Sequence, residues 1–182
     1  MKSLNVAARL GNLSAGITIV FVLLLHFGGV GSYFTKNLFS FFSSFSDLVF
    51  IIVAVYQSRK IEGGGYISFR NAWKAANTFI FINALLLAFF QYIYLQFIDV
   101  HFLQNFLEQA EPFYKSLAGV LKFGKNFDEF KEMYSAQYSP INMAWSSFSS
   151  SLFFETIIAL VVAGVLKKEP PYQVNQEAED NT

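Results

Sequence analysis

The chain has 182 residues, of which 13 are Lys or Arg and 13 are Asp or Glu, so its formal net charge is zero. Hydrophobic residues make up 54% and charged residues only 14%, whereas an average soluble domain is about 25% charged, which argues against a soluble protein and against disorder. A net charge of zero provides no electrostatic field that would attract nucleic acid, and the lack of cysteine excludes disulfides and thiolate metal sites.

Four apolar segments approach the length of about 20 residues that crosses a hydrocarbon layer about 30 Å thick. They are residues 13–31, 38–56, 75–98 and 141–166. The third holds no ionisable side chain, and each of the others holds one. We therefore predict an all-α fold, a four-helix transmembrane bundle that forms one integral membrane domain over residues 1–168.

The first segment has a second interpretation as a secretory signal, with basic residues before the apolar run and small residues at 29–31. Ala7, Gly11 and Ala15 recur at every fourth position, which favours close packing against another helix instead. We therefore expect a retained span.

The basic residues of the short connections predict the orientation and the lipid contacts. The connection between the first two spans has only Lys36, whereas the N-terminus, the second connection and the C-terminal flank have two, four and two. Because Lys and Arg concentrate on the cytoplasmic side, both termini are predicted to be cytoplasmic. The predicted headgroup contacts are Arg59, Lys60, Arg70, Lys74, Lys167 and Lys168.

Residues 62–65, a Glu followed by three glycines, precede the third span. A phosphate-cradling loop is one interpretation, but no strand precedes it and no Lys-Ser or Lys-Thr follows at the required spacing. The pattern favours a flexible connector that ends at Ser68 as the N-cap of the next helix.

Residues 99–139 have apolar side chains at helical spacing, interrupted at Pro112 and Gly124. We expect two or three amphipathic helices that lie on the outer membrane surface or over the mouth of the bundle. A lid or a partner-binding helix is the alternative to a hairpin that packs on its own bundle. Residues 169–182 are predicted to form a disordered cytoplasmic tail.

Three ionisable residues fall within the predicted spans, where a charge is costly and often marks function. Asp47 and Glu155 fall near mid-depth and can meet inside the bundle, whereas His26 is nearer the outer face. Serines flank both carboxylates on their outer side. The candidate intramembrane polar site therefore comprises His26, Ser43, Asp47, Ser151 and Glu155.

Two hypotheses explain these carboxylates. One is a proton-coupled or ion-conducting site, and the other is a hydrogen-bonded network that holds the helices together, which polar side chains in membrane proteins often form. Small and polar residues line one face of the fourth span, and others share one face of the third. This pattern predicts a bundle with a polar interior that is open toward the outer side of the membrane and closed on the cytoplasmic side of the two carboxylates. These residues are Ser147, Ser151, Glu155, Ala159 and Ala163, and Asn77, Ala84 and Gln91.

No catalytic motif is present: the two histidines, His26 and His101, form no metal or hydrolase pattern. We therefore expect a protein that is not an enzyme and that uses no cofactor and no metal.

Six short motifs of the chain form a recognisable pattern: Ser58-Arg59-Lys60, Gly63-Gly64-Gly65-Tyr66-Ile67-Ser68-Phe69, Ala72-Trp73-Lys74-Ala75, Tyr92-Ile93-Tyr94, Phe97-Ile98-Asp99 and the closing Val165-Leu166-Lys167-Lys168. With these motifs, the chain resembles the bacterial membrane family called domain of unknown function 4199. The resemblance implies a four-span inner-membrane protein of the kind found mainly in Bacteroidota, and it implies no activity. The outer segment differs from that of many members, since it is rich in Phe and Lys.

The sequence thus predicts a non-enzymatic structural or assembly component of the bacterial inner membrane. Its expected partners are the lipid bilayer and either another membrane protein or a second copy of the chain, and nucleic acid is not among them. The alternative function is a small proton-coupled transporter or channel subunit that uses Asp47 and Glu155.

Overall fold

The computed structural model describes residues 2–29, 33–62, 64–102 and 137–170, together with scattered positions between 104 and 135; the side chains of 2–3, 33–43 and 62 are outside this description. The described chain holds four long helices and no β-strand. They are α1 (Lys2–Phe27), α2 (Tyr33–Glu62), α3 (Phe69–Ile93, continued by a π-helical turn Tyr94–Ile98) and α4 (Pro140–Leu166). The predicted all-α class is confirmed.

In the described part of the chain, three helical segments are long and apolar enough to cross a membrane: Leu4–Phe27, Phe69–Ile98 and Pro140–Leu166. α1 begins well before the predicted first span of 13–31, because its packing residues extend back to Ala7. It ends at Phe27, and Gly29 follows with φ of 70°, a backbone conformation that glycine adopts without strain.

α3 lies at the centre of the bundle and packs against α1, α2 and α4. α1 and α3 run in the same direction, while α2 and α4 run in the opposite one. We call the end with Leu4, the connection 64–68 and Leu166 the terminal end, and the end with Phe27, Asp99 and Pro140 the distal end.

The core is concentrated at the terminal end and consists largely of alanine. Among the described residues, seven alanines of this core are at most 1% exposed, and they come from all four helices: Ala7, Ala54, Ala72, Ala75, Ala76, Ala159 and Ala163. Such small side chains let helix backbones approach closely, which is the main source of packing energy between helices in lipid.

A short backbone pairing closes the terminal end. The Ile67 N–H donates to the Lys168 carbonyl at 2.8 Å, and the Lys168 N–H donates to the Ile67 carbonyl at 2.9 Å. The connection before this pairing turns at Gly64 and Gly65, which have φ of 55° and 101°. α3 then starts at the predicted N-cap Ser68, whose Oγ accepts a hydrogen bond from the Asn71 N–H at 3.4 Å. This pairing joins the start of α3 to the end of α4.

α1 and α3 approach each other closely at Gly11. A Cβ at this position would lie 2.9 Å from the Phe79 carbonyl oxygen and 3.2 Å from the Ile82 Cβ. Ala7 and Ala15, four residues away on either side, are fully buried. The small-residue stripe of α1 therefore packs against α3, as its spacing predicts.

The outer surface of the bundle is apolar. Leu24, Phe89, Phe153 and Val165 are each more than 60% exposed. Water would not favour such a surface, whereas lipid chains cover it at no cost. Most of the predicted amphipathic segment 99–139, all but two residues of the predicted tail 169–182 and Gly63 lie outside the described residues.

Candidate functional site: a polar cluster at mid-helix

Three helices meet at one buried carboxylate. The Oδ1 of Asp47 on α2 accepts a hydrogen bond from the Ser14 hydroxyl of α1 and another from the Asn83 side-chain amide of α3, each at 3.0 Å. The exposed fractions of Ser14, Asp47 and Asn83 are 1%, 6% and 0%. We call these three residues the central polar cluster.

The helical repeat explains why these side chains face one another. Asn83 follows Ala76, Phe79 and Ile80 on the buried face of α3 at spacings of seven, four and three. Asp47 precedes Ile51, Ala54 and Val55 on the buried face of α2. Ser14 and Asn83 each lie near the middle of an apolar segment, so the cluster sits about halfway along the bundle.

Glu155 of α4 lies beside this cluster. The Ser151 side chain, one turn earlier on the same helix, hydrogen-bonds to the Glu155 carboxyl group, and Glu155 interacts electrostatically with Asp47. The structure thus brings the carboxyl groups of Asp47 and Glu155 into electrostatic range, the arrangement that their predicted depths allow.

Two oxygen atoms of this region are buried without a hydrogen-bond partner among the described residues. They are the Oε2 of Glu155 and the Oδ1 of Asn83. Buried polar atoms are normally paired, so each of these unpaired acceptors is a position at which a proton or a cation can bind.

The side chains of α4 are more exposed on the distal side of Glu155 than on its terminal side. Ser147 is exposed and Ser151 is half-buried toward the distal end, whereas Ala159 and Ala163 are fully buried toward the terminal end. The predicted stripe is therefore more open on one side of the carboxyl group and tightly packed on the other.

His26 lies apart from the central polar cluster. Its Nδ1 is 2.8 Å from the Tyr94 hydroxyl at the distal end, and the two rings meet edge to face. His26 is twelve residues beyond Ser14 on α1, which corresponds to about 18 Å. Of the five predicted site residues, the structure brings together Asp47, Ser151 and Glu155, and the Ser43 side chain is outside the described residues.

Sequence reasoning did not identify Ser14 and Asn83. A signal for Asn83 was present, because it is the only polar residue between Thr78 and Gln91. The predicted polar face of α3 was assigned to Asn77 instead. Asn77 serves a different contact, since its Oδ1 accepts a hydrogen bond from the Thr156 hydroxyl of α4 at 3.0 Å.

The predicted headgroup residues all lie at the terminal end. The Arg59 guanidinium lies 6.0 Å from the Tyr56 ring centre, and the Lys168 ammonium lies 5.4 Å from the Tyr66 ring centre. The other four are exposed: Lys60, Arg70, Lys74 and Lys167. In the described part of the chain, no three His, Asp or Glu side chains are placed to hold a metal ion together.

The family model described as "Protein of unknown function (DUF4199)" matches residues 9–168. The chain therefore belongs to this family, which confirms the resemblance seen in the sequence. No curated protein and no solved structure matches the chain.

Proposed function

We propose that this member of the DUF4199 family is a non-enzymatic structural or assembly component of the bacterial inner membrane. The central polar cluster carries the proposal, because Asp47 receives a hydrogen bond from each of two other helices in a site that is at most 6% exposed. Such a fully enclosed arrangement is suited to fixing helix positions.

The proposed topology has four spans, with both termini in the cytoplasm. α2 supplies the additional span, since its segment 38–56 carries a single ionisable residue, Asp47, which is directed into the bundle. The clustering of six basic residues at the terminal end supports a cytoplasmic location for that end. Reporter fusions after Lys60, Lys125 and Lys168 test this topology, and a cytoplasmic reporter after Lys125 would contradict it.

The second candidate function is a proton-coupled transporter or channel subunit. It is supported by the unpaired oxygens of Glu155 and Asn83 beside Asp47, and by the exposed serines that lead toward Glu155 from the distal end. Ionisable groups inside a membrane commonly line proton pathways, which is why this alternative is retained.

One experiment separates the two functions. The wild-type chain and the double variant Asp47→Asn with Glu155→Gln are placed in liposomes that hold a pH-sensitive dye, and a potassium gradient drives proton entry. A structural component gives equal flux for both proteins, together with lower thermal stability of the variant. Flux in the wild type that disappears in a folded double variant would establish transport instead.

The assembly part of the proposal concerns the apolar outer face of the bundle. A second copy of the chain or another membrane protein is the proposed partner. Cross-linking of the tagged chain in intact membranes should give a discrete species of higher mass, and exclusive recovery of the monomer would contradict an assembly role.

A further inference from the structure

A groove runs along the surface of α3 beside the first turns of α1. Its volume is about 450 Å³, within the range of about 300–1,000 Å³ that is typical of small-molecule sites. The lining is almost entirely apolar, and it is formed by Leu4 of α1 and by residues of α3 that include Trp73, Lys74, Thr78, Phe81 and Ile82.

The position of the groove along α3 matches the depth of a phospholipid. Lys74 lies near the terminal end of the apolar segment Phe69–Ile98, and Ile82 lies near its middle. The two residues are eight positions apart, which corresponds to about 12 Å along the helix, the length of an acyl chain segment that descends from the headgroup toward the bilayer centre.

The charge at one end of the groove complements an anionic headgroup. Lys74 is exposed at the groove and Arg70 is exposed one turn closer to the terminal end. Neither side chain has a salt-bridge partner among the described residues, and α3 together with its π-helical turn contains no acidic residue. An ammonium group beside an apolar channel can bind a phosphate while the channel holds the attached chain.

We propose that this groove binds one anionic phospholipid, with its phosphate at Lys74 and one acyl chain against Leu4, Phe81 and Ile82. The site differs from general headgroup contact by basic residues, because it requires both the charge and the shape of the groove. It rests on the membrane location of the proposed function, yet it is independent of the role assigned to Asp47 and Glu155.

Native mass spectrometry of the purified chain tests the proposal, with phosphatidylglycerol and phosphatidylcholine of identical acyl chains as probes. The wild type should retain one phosphatidylglycerol in preference to phosphatidylcholine. Lys74→Gln should weaken phosphatidylglycerol binding about fivefold, since one basic residue near an anionic surface contributes about 1 kcal/mol. Lys60→Gln is the matched control, because Lys60 is an exposed lysine at the same end but does not line the groove.

A second variant tests the shape of the groove without changing its charge. Thr78→Phe places a ring in the groove and should also lose the bound lipid, while thermal unfolding without lipid reports whether the variant is folded. Equal binding of the two lipids, unchanged binding by Thr78→Phe, or an equal loss in Lys60→Gln would each overturn the proposal. None of these results affects the topology reported by the fusions or the flux measured in liposomes.

Discussion

The two ends of the bundle are held together in different ways. At the terminal end, buried alanines bring four helices close together, and two backbone hydrogen bonds join Ile67 to Lys168. At the distal end, a hydrogen bond between the His26 and Tyr94 side chains connects α1 to α3. Leu95 and Ala144 are buried there, whereas Ser147 of α4 is exposed. The central polar cluster lies between these two regions.

This difference indicates which half of the molecule is rigid. Alanine contacts leave little freedom for helices to separate, because the backbones themselves are in contact. The buried side chains of the distal end are less completely enclosed, since Leu95 and Ala144 are 9% and 5% exposed. We therefore expect the terminal end to determine the stability of the fold, and we expect substitutions there to have larger effects than substitutions at the distal end.

Gly11→Leu should have the largest effect, because it disrupts a close contact between α1 and the backbone of α3. Even a Cβ would lie 2.9 Å from the Phe79 carbonyl oxygen, which is backbone and cannot rotate away. We expect a loss of about 3 kcal/mol, at the upper end of the usual cost of overpacking. Thermal unfolding of the purified protein in detergent measures the loss.

Gly16→Leu is the matched control on the same helix. A Cβ at Gly16 meets no heavy atom within 4 Å, so the substitution adds the same side chain at a position that faces outward. Its unfolding temperature should stay close to that of the wild type. Equal losses for the two variants would show that α1 does not depend on close contact with α3.

Asp47→Ala removes the hydrogen-bond acceptor of the central polar cluster, which lies between the two ends, and should have the second largest effect on stability. It leaves the Ser14 hydroxyl and the Asn83 amide buried without their acceptor. We expect a loss of about 1–2 kcal/mol, since interhelical hydrogen bonds in membrane proteins contribute about 0.6 kcal/mol on average and up to about 1.7.

Asp47→Asn is the companion variant, because its side-chain oxygen still accepts hydrogen bonds. It should lose less stability than Asp47→Ala in the same unfolding assay. If the two variants are equally stable, the hydrogen bonds of the central polar cluster contribute nothing to the fold, and the structural function loses its main support.

The sequence predicted the helices better than it predicted their contacts. Long apolar runs indicate where a helix lies but not where it begins, since α1 starts at Lys2 rather than near residue 13. Ser68 is the N-cap that its position predicts. The depth of a residue along a helix can also be estimated from the sequence, and Asp47 and Glu155 are both predicted near mid-depth. The rotational orientation of each helix about its own axis is harder to predict, because the buried and the lipid-facing sides of an apolar helix differ little in composition.

Asn77 and Asn83 illustrate this limit. They are six residues apart on α3, which separates them by about 120° around the helix. One faces Thr156 of α4 and the other faces Asp47 of α2. The positions of α2 and α4 around α3 decide which of the two asparagines contacts Asp47, and those positions cannot be read from a single sequence.

Lys168→Pro should have a moderate effect at the terminal end. It removes the N–H that donates to the Ile67 carbonyl at 2.9 Å, and it should cost about 1 kcal/mol. Lys168→Ala is the control, because it removes the ammonium near the Tyr66 ring but keeps the backbone donor. Equal stability of the Pro and Ala variants would show that the backbone pairing is not what closes this end.

His26→Phe should have the smallest effect, because it removes one hydrogen bond at the distal end while it keeps a ring beside Tyr94. We expect a loss of about 0.6 kcal/mol, the average for an interhelical hydrogen bond in a membrane protein.

Tyr94→Phe should cost the same amount, and the double variant should cost no more than either single change, since all three lack the same bond. Additive losses in this cycle would show that the two side chains act separately. A loss larger than that of Lys168→Pro would reverse the expected order of the two ends, since the distal end would then contribute more to stability than the backbone pairing at the terminal end.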